Sequence, residues 1–484
     1  MTTNLPFKKA AAVLAAAAIA LGMSCEPLDS TDLNNPNLDS LTKHPTRSGI
    51  LAASTGLVIG HRQQVAQTNG FVSLTGILGR ESYCFDKADP RFITEMLEAA
   101  GLDASSPAFG GNEWQQPYQN IRNAFTVLGA LDAVPVDPVA GVTAEEKAAI
   151  TGFAETMQAL DFMVIHNTRW DQGGPIDVNR ALEDTPAPVK TKEDILAHVV
   201  VLLDDAAAKL ATPGASFPFP LGNGFRGFDD PASFLKVNRG IRARVAVYQG
   251  TPASYAEALT ALSASFLDDT PSLDMHEGVY HSFGTGSGDV VNNLVSPNIL
   301  AHPKLALEAE AGDLRVAQKL EQLTDENGDP TTTTSRNLTT GYKFKLYPAP
   351  SSPIPIIRNE ELILLRAEAR FHTGDVTGAY DDLNLVRAVS GGPLLTPLVP
   401  STDPATFTTN LLHERRYSLM FEGGHRWIDL RRTGRANDPS LLDIPSPPPA
   451  GQNAHHFSQF FPLPLAECLA RGPSDPSIAG KCSF

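Results

Sequence analysis

Residues 414–432, which read ERRYSLMFEGGHRWIDLRR, constrain the fold of this chain more than any other stretch. We call them the arginine segment. It places Arg415, Arg416, Arg426, Arg431 and Arg432 among the three carboxylates Glu414, Glu422 and Asp429. Arginine forks and carboxylates at this spacing favour a partly buried network of bidentate ion pairs, and Phe421 and Trp427 favour packing over a solvated charged face. The pattern predicts the end of a helix, a break at Gly423 and Gly424, and a second short amphipathic segment.

Composition narrows the class of protein and of partner. The chain has 484 residues, long enough for two or three domains or for one extended repeat architecture. A hydrophobic fraction of 42% and a charged fraction of 19% are typical of a folded, soluble protein. A formal net charge of -16 argues against nucleic acid as a partner, because that affinity depends on lysine and arginine neutralising phosphates.

The first residues read as a targeting segment. Lys8 and Lys9 precede a run of twelve apolar residues, 10–21, which is shorter than the roughly 20 residues a spanning helix needs. Cys25 follows Gly22-Met23-Ser24 and resembles the lipidated cysteine of a bacterial lipobox, although the leucine stands one place early, at position 21. Ordinary secretion with cleavage near residue 24 is the alternative. Removing both lysines leaves a mature chain near -18, that is, -16 minus two positive charges.

The remaining cysteines offer one pairing without settling it. Cys468 and Cys482 lie in a tail rich in proline and glycine and can close a short loop in an oxidising compartment, which would leave Cys84 free. No two cysteines have the Cys-x-x-Cys spacing of a zinc or thioredoxin-type site.

Helical periodicity dominates the rest of the chain. Apolar spacing, caps at Thr143 and Thr191, and glycine or proline stops predict helices over 46–67, 113–131, 144–170, 192–210, 231–249 and 255–266. Residues 69–112 are predicted to be a long excursion with one short helix near 92–100, and residues 270–355 to be loop-rich with one short strand near 342–346. Two helix, glycine turn, helix units, 243–259 and 366–383, resemble degenerate tetratricopeptide repeats.

Catalytic, nucleotide and metal signatures are weak. Residues 222–227 spell G-x-G-x-x-G, but no strand precedes them and no helix opens after them. Ser287, in the glycine loop 284–288, lacks the glycines two residues to either side that a nucleophile elbow requires. The twelve histidines show no metal-ligand spacing, and residues 325–329 fit a polar turn better than a calcium loop. We therefore predict a protein that is not an enzyme, with no cofactor and no metal.

Five ordered motifs together resemble the SusD/RagB family of nutrient-binding lipoproteins. The arginine segment looks like the family's ERR…FEG.RW.DL.R signature with one extra glycine, Gly424. Residues 359–369 look like its penultimate repeat helix, and Asn384 to Arg387 like its N.iR motif. Trp114, Tyr118 and Ile121 match W..Y..I, and residues 461–467 resemble the closing PIP..E. The resemblance covers most of the mature chain.

This resemblance implies a mainly α-helical fold, with four tetratricopeptide-like helix pairs in a superhelical scaffold, long loops and minor β structure. The implied division is a lipoprotein signal peptide at 1–24 and one domain at 25–484, which comprises an N-terminal linker (25–45), an N-terminal repeat half (46–270), a loop-rich insertion (271–355) and a C-terminal repeat and signature region (356–484). Seven residues are implied to be a structural signature that closes the scaffold: Glu414, Arg415, Arg416, Glu422, Arg426, Trp427 and Asp429.

The implied function is binding at the outer membrane. Cys25 would carry the lipid anchor, and a SusC-like TonB-dependent transporter would be the partner that receives a glycan, a peptide or another small nutrient. The ligand face would fall in the excursion and the mid-chain loops, which hold Arg80, Tyr83, Phe85, Tyr280 and Phe283, although ordinary loop packing is an equal alternative for each. A periplasmic tetratricopeptide-like scaffold that binds partner proteins is the alternative function.

Overall fold

Side-chain caps set where the long helices begin. The computed structural model describes residues 41–98, 101–181, 183–442, 444–445 and 448–482. The Thr143 hydroxyl accepts a hydrogen bond from the Glu146 backbone while the Glu146 carboxylate accepts one from the Thr143 backbone, at 3.1 and 3.0 Å. Thr191 and Asp194 form the same reciprocal pair. Each pair satisfies backbone N–H groups that a helix start leaves unbonded, so both predicted starts are confirmed.

Helices are the main secondary structure of the described chain, and the predicted mainly α-helical class is confirmed. They are α1 (Arg47–Arg62), α2 (Phe71–Leu78), α3 (Arg91–Thr94), α4 (Asn112–Ala133), α5 (Ala144–Arg169), α6 (Lys192–Leu210), α7 (Pro231–Gln249), α8 (Pro252–Ser263), α9 (Lys304–Leu307), α10 (Leu314–Lys319), α11 (Asn359–His372), α12 (Val376–Val386), α13 (Pro404–Ser418), α14 (His425–Arg432), α15 (Pro439–Leu442) and α16 (Leu465–Arg471).

The long helices pack side by side in a continuous scaffold. Helix α1 packs on α4, and α4, α5, α6, α7 and α8 then pack each on the next. Helix α8 packs on α11, which also contacts α12 and α13. The two units that resemble tetratricopeptide repeats are the pairs α7–α8 and α11–α12. The scaffold has two apolar cores, one within α1 and α4–α8 and a smaller one within α11–α13.

A second layer of short strands and loops covers one side of the scaffold and has its own apolar core. The strands are β1 (Ser82–Cys84), β2 (Gly174–Pro175), β3 (Val189–Lys190), β4 (Gly278–His281), β5 (Ile299–Ala301), β6 (Leu320–Gln322), β7 (Thr333–Ser335), β8 (Leu338–Thr340), β9 (Tyr342–Phe344) and β10 (Ile354–Arg358). All the pairings are antiparallel: β1 with β5, β2 with β3, β4 with β10, β6 with β9 and β7 with β8.

The loop layer differs from the sequence prediction in two respects. The excursion contains helix α2, which was not predicted because its sequence, FVSLTGIL, is apolar on every side and is almost wholly buried, so it has no helical stripe. Residues 270–355 contain several strands rather than one. These strands have three to five residues, and their partners are often far away in the sequence, as with β1 and β5, so alternation along one strand could not reveal them.

A disulfide closes a loop in the C-terminal tail. Cys468 and Cys482 form a disulfide with Cα atoms 5.9 Å apart, and the Cys84 thiol is free and buried.

At the start of α4, Glu113 is fully buried, near Arg169 at the end of α5. The Arg169 guanidinium donates to the carbonyl oxygens of Gly110 and Pro462. Burial raises the pKa of Glu113 to about 7 against the opposing effect of backbone N–H groups and Arg169.

Glu113→Gln should flatten the pH dependence of stability. Because the folded chain holds the Glu113 proton more tightly than the unfolded chain, the free energy of unfolding falls as pH rises from about 4.5 to about 7 and stays lower above it. The shift corresponds to roughly 3 kcal/mol at most. Urea unfolding near pH 5 and near pH 8 should therefore show a smaller difference for Glu113→Gln than for the wild type. Glu145→Gln, an exposed change in the neighbouring helix, is the control. An equal pH slope in both variants would contradict this assignment.

Candidate ligand-binding site and its supporting network

The arginine segment folds as a helix end, a tight turn and a short helix, as its pattern predicts. Helix α13 ends at Ser418, and α14 begins at His425 after a turn in which Gly424 has φ +69. A Cβ atom on Gly424 would also lie 2.4 Å from the Thr75 hydroxyl oxygen in α2, so this glycine supplies both the backbone angle and the room. Phe421 has φ +55 although it is not a glycine, and its ring stacks on Phe344 at 4.1 Å. The turn therefore fits closely against the loop layer.

Two buried carboxylates, Glu414 in α13 and Asp429 in α14, are each held by two arginines. The Glu414 carboxylate accepts from Arg315 at 2.7 Å and from Arg387. The Asp429 carboxylate accepts from Arg415 at 2.6 Å and from Arg432 at 2.7 Å. These pairs join α10, the turn after α12, α13 and α14. Fully buried ions of this kind are tolerated only because each is paired and hydrogen-bonded.

Glu422 anchors a second part of the network. Its carboxylate accepts a bidentate pair from Arg358 at 2.9 and 3.0 Å, and Lys319 lies 3.4 Å away. Burial opposes ionisation of Glu360, yet the Arg358 guanidinium lowers the pKa of Glu360 to about 2. Burial likewise opposes the effect of Arg244, which lowers the pKa of Glu361 to about 2. Glu360 and Glu361 stay ionised because the effect of the arginines outweighs desolvation.

The other signature residues connect the turn to both layers. Trp427 is fully buried and donates from Nε1 to the Ser458 carbonyl oxygen at 2.8 Å. Arg426 donates to the Gly79 carbonyl oxygen at 2.9 Å, and Arg416 contacts the exposed Glu308 at 2.6 Å. The segment is thus placed as a structural junction between the scaffold and the loop layer.

The five predicted ligand residues lie in the loop layer, but most are buried. Tyr83, Phe85 and Phe283 belong to one apolar core, and the Tyr83 and Phe85 rings stack at 5.4 Å. Arg80 is buried and donates to the His456 carbonyl oxygen at 2.8 Å. Tyr280 is half-buried, and its hydroxyl donates to the His276 carbonyl oxygen. Of the five, Tyr280 alone keeps part of its ring at the surface.

Aromatic platforms for a sugar ring are scarce on the described surface. No aromatic side chain in the described residues reaches the exposed class. Trp114 and Trp427 are buried, and the half-buried Trp170 has Lys192 and Arg431 over its ring at 4.3 and 4.9 Å. Partly accessible rings such as Tyr280, Tyr342 and Phe457 are what the described surface offers for stacking.

A cavity of about 80 Å³ lies where the scaffold meets the loop layer. Three imidazoles line it: His61 at the end of α1, His281 in β4 and His425 at the start of α14. Burial lowers the pKa of His425 to about 4, and burial together with His61 and Arg62 lowers the pKa of His281 well below its usual value. Sequence spacing gave no sign of this cluster, because its members lie in elements far apart in the chain.

One further group has the composition of a metal site but not its charge balance. Ligand atoms of Glu310, His413 and Glu414 lie within 4.8 Å of one another. Arg387, however, holds Glu310 through two hydrogen bonds of 2.9 and 2.8 Å and also pairs with Glu414. The carboxylates are therefore already neutralised, and a cation would have to displace arginine.

Comparison with known proteins gives the fold and a family match over part of the chain. Residues 320–443 match the model of the SusD family. No curated protein sequence matches the chain. A surface glycan-binding protein A from Bacteroides thetaiotaomicron, solved with laminarihexaose, is 16% identical, with a TM-score of 0.65 over 87% of this chain and 97% of that one. The corresponding protein from Bacteroides uniformis is also 16% identical, with a TM-score of 0.65 over 87% and 98%. A laminarin-binding SusD-like protein is 18% identical, with a TM-score of 0.61 over 90% and 100%. The predicted SusD-like scaffold is confirmed.

Glu414→Gln tests the cost of opening the buried network. Arg315 and Arg387 would lose a fully buried charged acceptor, and breaking such a pair costs about 3 to 5 kcal/mol. Urea unfolding should show a loss near this range. Asp132→Asn removes the exposed pair with Lys147 and should cost less than about 1 kcal/mol. Similar losses for both variants would show that the network adds no more than a surface ion pair.

Proposed function

We propose that this chain is a member of the SusD family and that it is a lipid-anchored outer-membrane protein, which captures a glycan at the cell surface and delivers it to a TonB-dependent transporter. The observation that carries the proposal is the match of residues 320–443 to the SusD family together with the same fold over most of the chain. Two of the similar structures are described as binding laminarin or laminarihexaose. No reactive constellation is needed for such a role, because binding rests on shape, stacking and hydrogen bonds.

The ligand face is proposed to lie on the loop layer around Tyr280. The exposed glycine loop 284–288 follows this strand closely, and the Gly284 backbone N–H bonds to Val290. Because the described surface has no fully exposed aromatic ring, we expect hydrogen bonds to contribute much of the affinity, with a half-buried ring such as Tyr280 stacking against one sugar. A peptide ligand is the competing outcome of the binding test.

Membrane attachment is proposed to depend on Cys25, which lies outside the described residues. None of the helices in the described part of the chain combines the length and hydropathy of a membrane span. Lipidation of a cysteine would supply the anchor that these helices do not.

Cys25→Ser should move the protein from the membrane fraction to the soluble fraction. Removing the thiol removes the site of acylation, and fractionation followed by immunoblotting measures the result. Protease treatment of intact cells should degrade the wild-type protein, because the proposal places it on the outer face of the outer membrane.

Parallel purification of the wild type and of Cys25→Ser tests whether the protein binds a TonB-dependent transporter. Native extraction of the wild-type protein should recover a large β-barrel partner, and Cys25→Ser should recover less of it. Full protease protection and no barrel would favour the periplasmic scaffold instead.

Binding of laminarin should be measurable with the purified mature protein. Isothermal titration with laminarihexaose and with a peptide digest separates the two ligand classes. Tyr280→Ala should weaken glycan binding about ten-fold, since loss of one stacking contact is worth about 1.4 kcal/mol. Tyr280→Phe keeps the ring and is the matched control. Equal glycan affinity in the wild type and Tyr280→Ala would show that Tyr280 does not contact the ligand. Binding of peptide but not of glycan would show that the ligand is a peptide.

A further inference from the structure

Asp161 is a buried carboxylate whose negative charge has no lysine or arginine partner among the described residues. It lies in the middle of α5 and is 2% exposed. One oxygen accepts from the Asn120 side-chain amide at 2.7 Å, which supplies a neutral donor. The other is 2.7 Å from His61 Nδ1. Compensation of the buried charge therefore falls on His61 or on something bound to it.

His61 has a hydrogen bond to a carboxylate, of the kind that orients metal-binding histidines. Because Nδ1 faces the Asp161 carboxylate, this nitrogen carries the proton in the neutral ring, and Nε2 keeps its lone pair. A histidine that binds a metal through one nitrogen commonly donates from the other to a carboxylate, which fixes the ring and strengthens it as a ligand. Asp161 and Asn120 supply this arrangement in full.

A second imidazole stands beside the first. The His281 ring centroid lies 5.1 Å from that of His61, and the planes are tilted by 35°. Two imidazoles bound to one tetrahedral ion through bonds of about 2.0 to 2.1 Å place their centroids about 5 Å apart. His281 is 7% exposed. Both rings line the 80 Å³ cavity.

The size and charge of the cavity suit an ion with water. The volume is well below the roughly 300 Å³ at which pockets for organic ligands begin, yet it is sufficient for several water molecules. The charged groups on its wall are already neutralised: Arg244 pairs with Glu361, and Glu422 pairs with Arg358. Arg62, the cation nearest His281, donates to the Ser282 carbonyl oxygen and is attracted by Asp289. The charge of Asp161 is left to favour a cation.

We propose that His61 and His281 bind a divalent transition-metal ion of the zinc class in this cavity, with Asp161 orienting His61 and water completing the coordination. No third histidine, cysteine or carboxylate of the described chain joins them, since the group around Glu310 is the one such cluster of three found there. The site is therefore open, and it binds more weakly than a closed site with four protein ligands. This assignment goes beyond glycan capture and does not depend on it.

Metal titration of the purified mature protein tests the proposal. After chelator treatment and dialysis, calorimetry with Zn²⁺ should show one ion per chain, and Co²⁺ should give the visible absorption of a nitrogen-ligated ion. His281→Gln keeps the His61–Asp161 pair and should weaken binding at least ten-fold. Asp161→Asn should weaken it by about 10- to 100-fold through the loss of orientation.

Two variants serve as controls. His425→Gln alters the same cavity outside the proposed pair, and His413→Gln alters the group around Glu310; both should bind Zn²⁺ as the wild type does. No Zn²⁺ or Co²⁺ binding by the wild type at millimolar concentration would overturn the proposal and identify His61 and Asp161 as a simple hydrogen-bonded histidine–carboxylate pair. Undiminished binding by His281→Gln, or loss in His413→Gln, would overturn it by placing the metal elsewhere.

Discussion

The buried arginine–carboxylate network at the junction of α13 and α14 is the constraint on which the rest of the structure depends. Its members come from segments far apart in the chain: Arg315, Arg358 and Arg387 all converge on carboxylates of the arginine segment. Burying each charge costs desolvation free energy, and only an oppositely charged partner in the right place offsets that cost. A shift of the loop layer relative to the scaffold would leave several ions buried and unpaired together. The network therefore fixes how the two layers fit.

Close steric fit reinforces the electrostatic constraint. Helix α2 presents Gly76 to the Phe421 ring, where a Cβ atom would approach to 2.5 Å. Phe421 accepts an unfavourable left-handed backbone angle, and its N–H donates to the Glu81 carboxylate while its carbonyl oxygen accepts from Tyr347. Burial raises the pKa of Glu81 to about 7 despite that hydrogen bond. Such a backbone conformation persists where surrounding contacts over-determine it.

The sequence predicted the structural features that depend on residues close together in the chain. Caps at Thr143 and Thr191, the glycine break at Gly424 and the helical stripes gave the scaffold, because each depends on residues a few positions apart. Helix α2 has no polar face, and β1 finds its partner about 200 residues later, so neither left a periodic trace. The cavity imidazoles share this difficulty: His61 lies 100 positions from Asp161.

The ligand face is the part that pattern could predict least, for a physical reason. An aromatic residue in a loop can stack on a ligand or fill the loop's own core, and Tyr83, Phe85 and Phe283 show the second arrangement here. The arginine segment lies within the part of the chain that matches the SusD family model, but its charges are paired within the fold, so it carries no information about what is bound. A net charge of -16 acts over the whole surface and opposes the approach of polyanionic ligands. A neutral glycan meets no such barrier, and its hydroxyl groups can use the backbone and polar groups that the loop layer exposes in place of aromatic platforms.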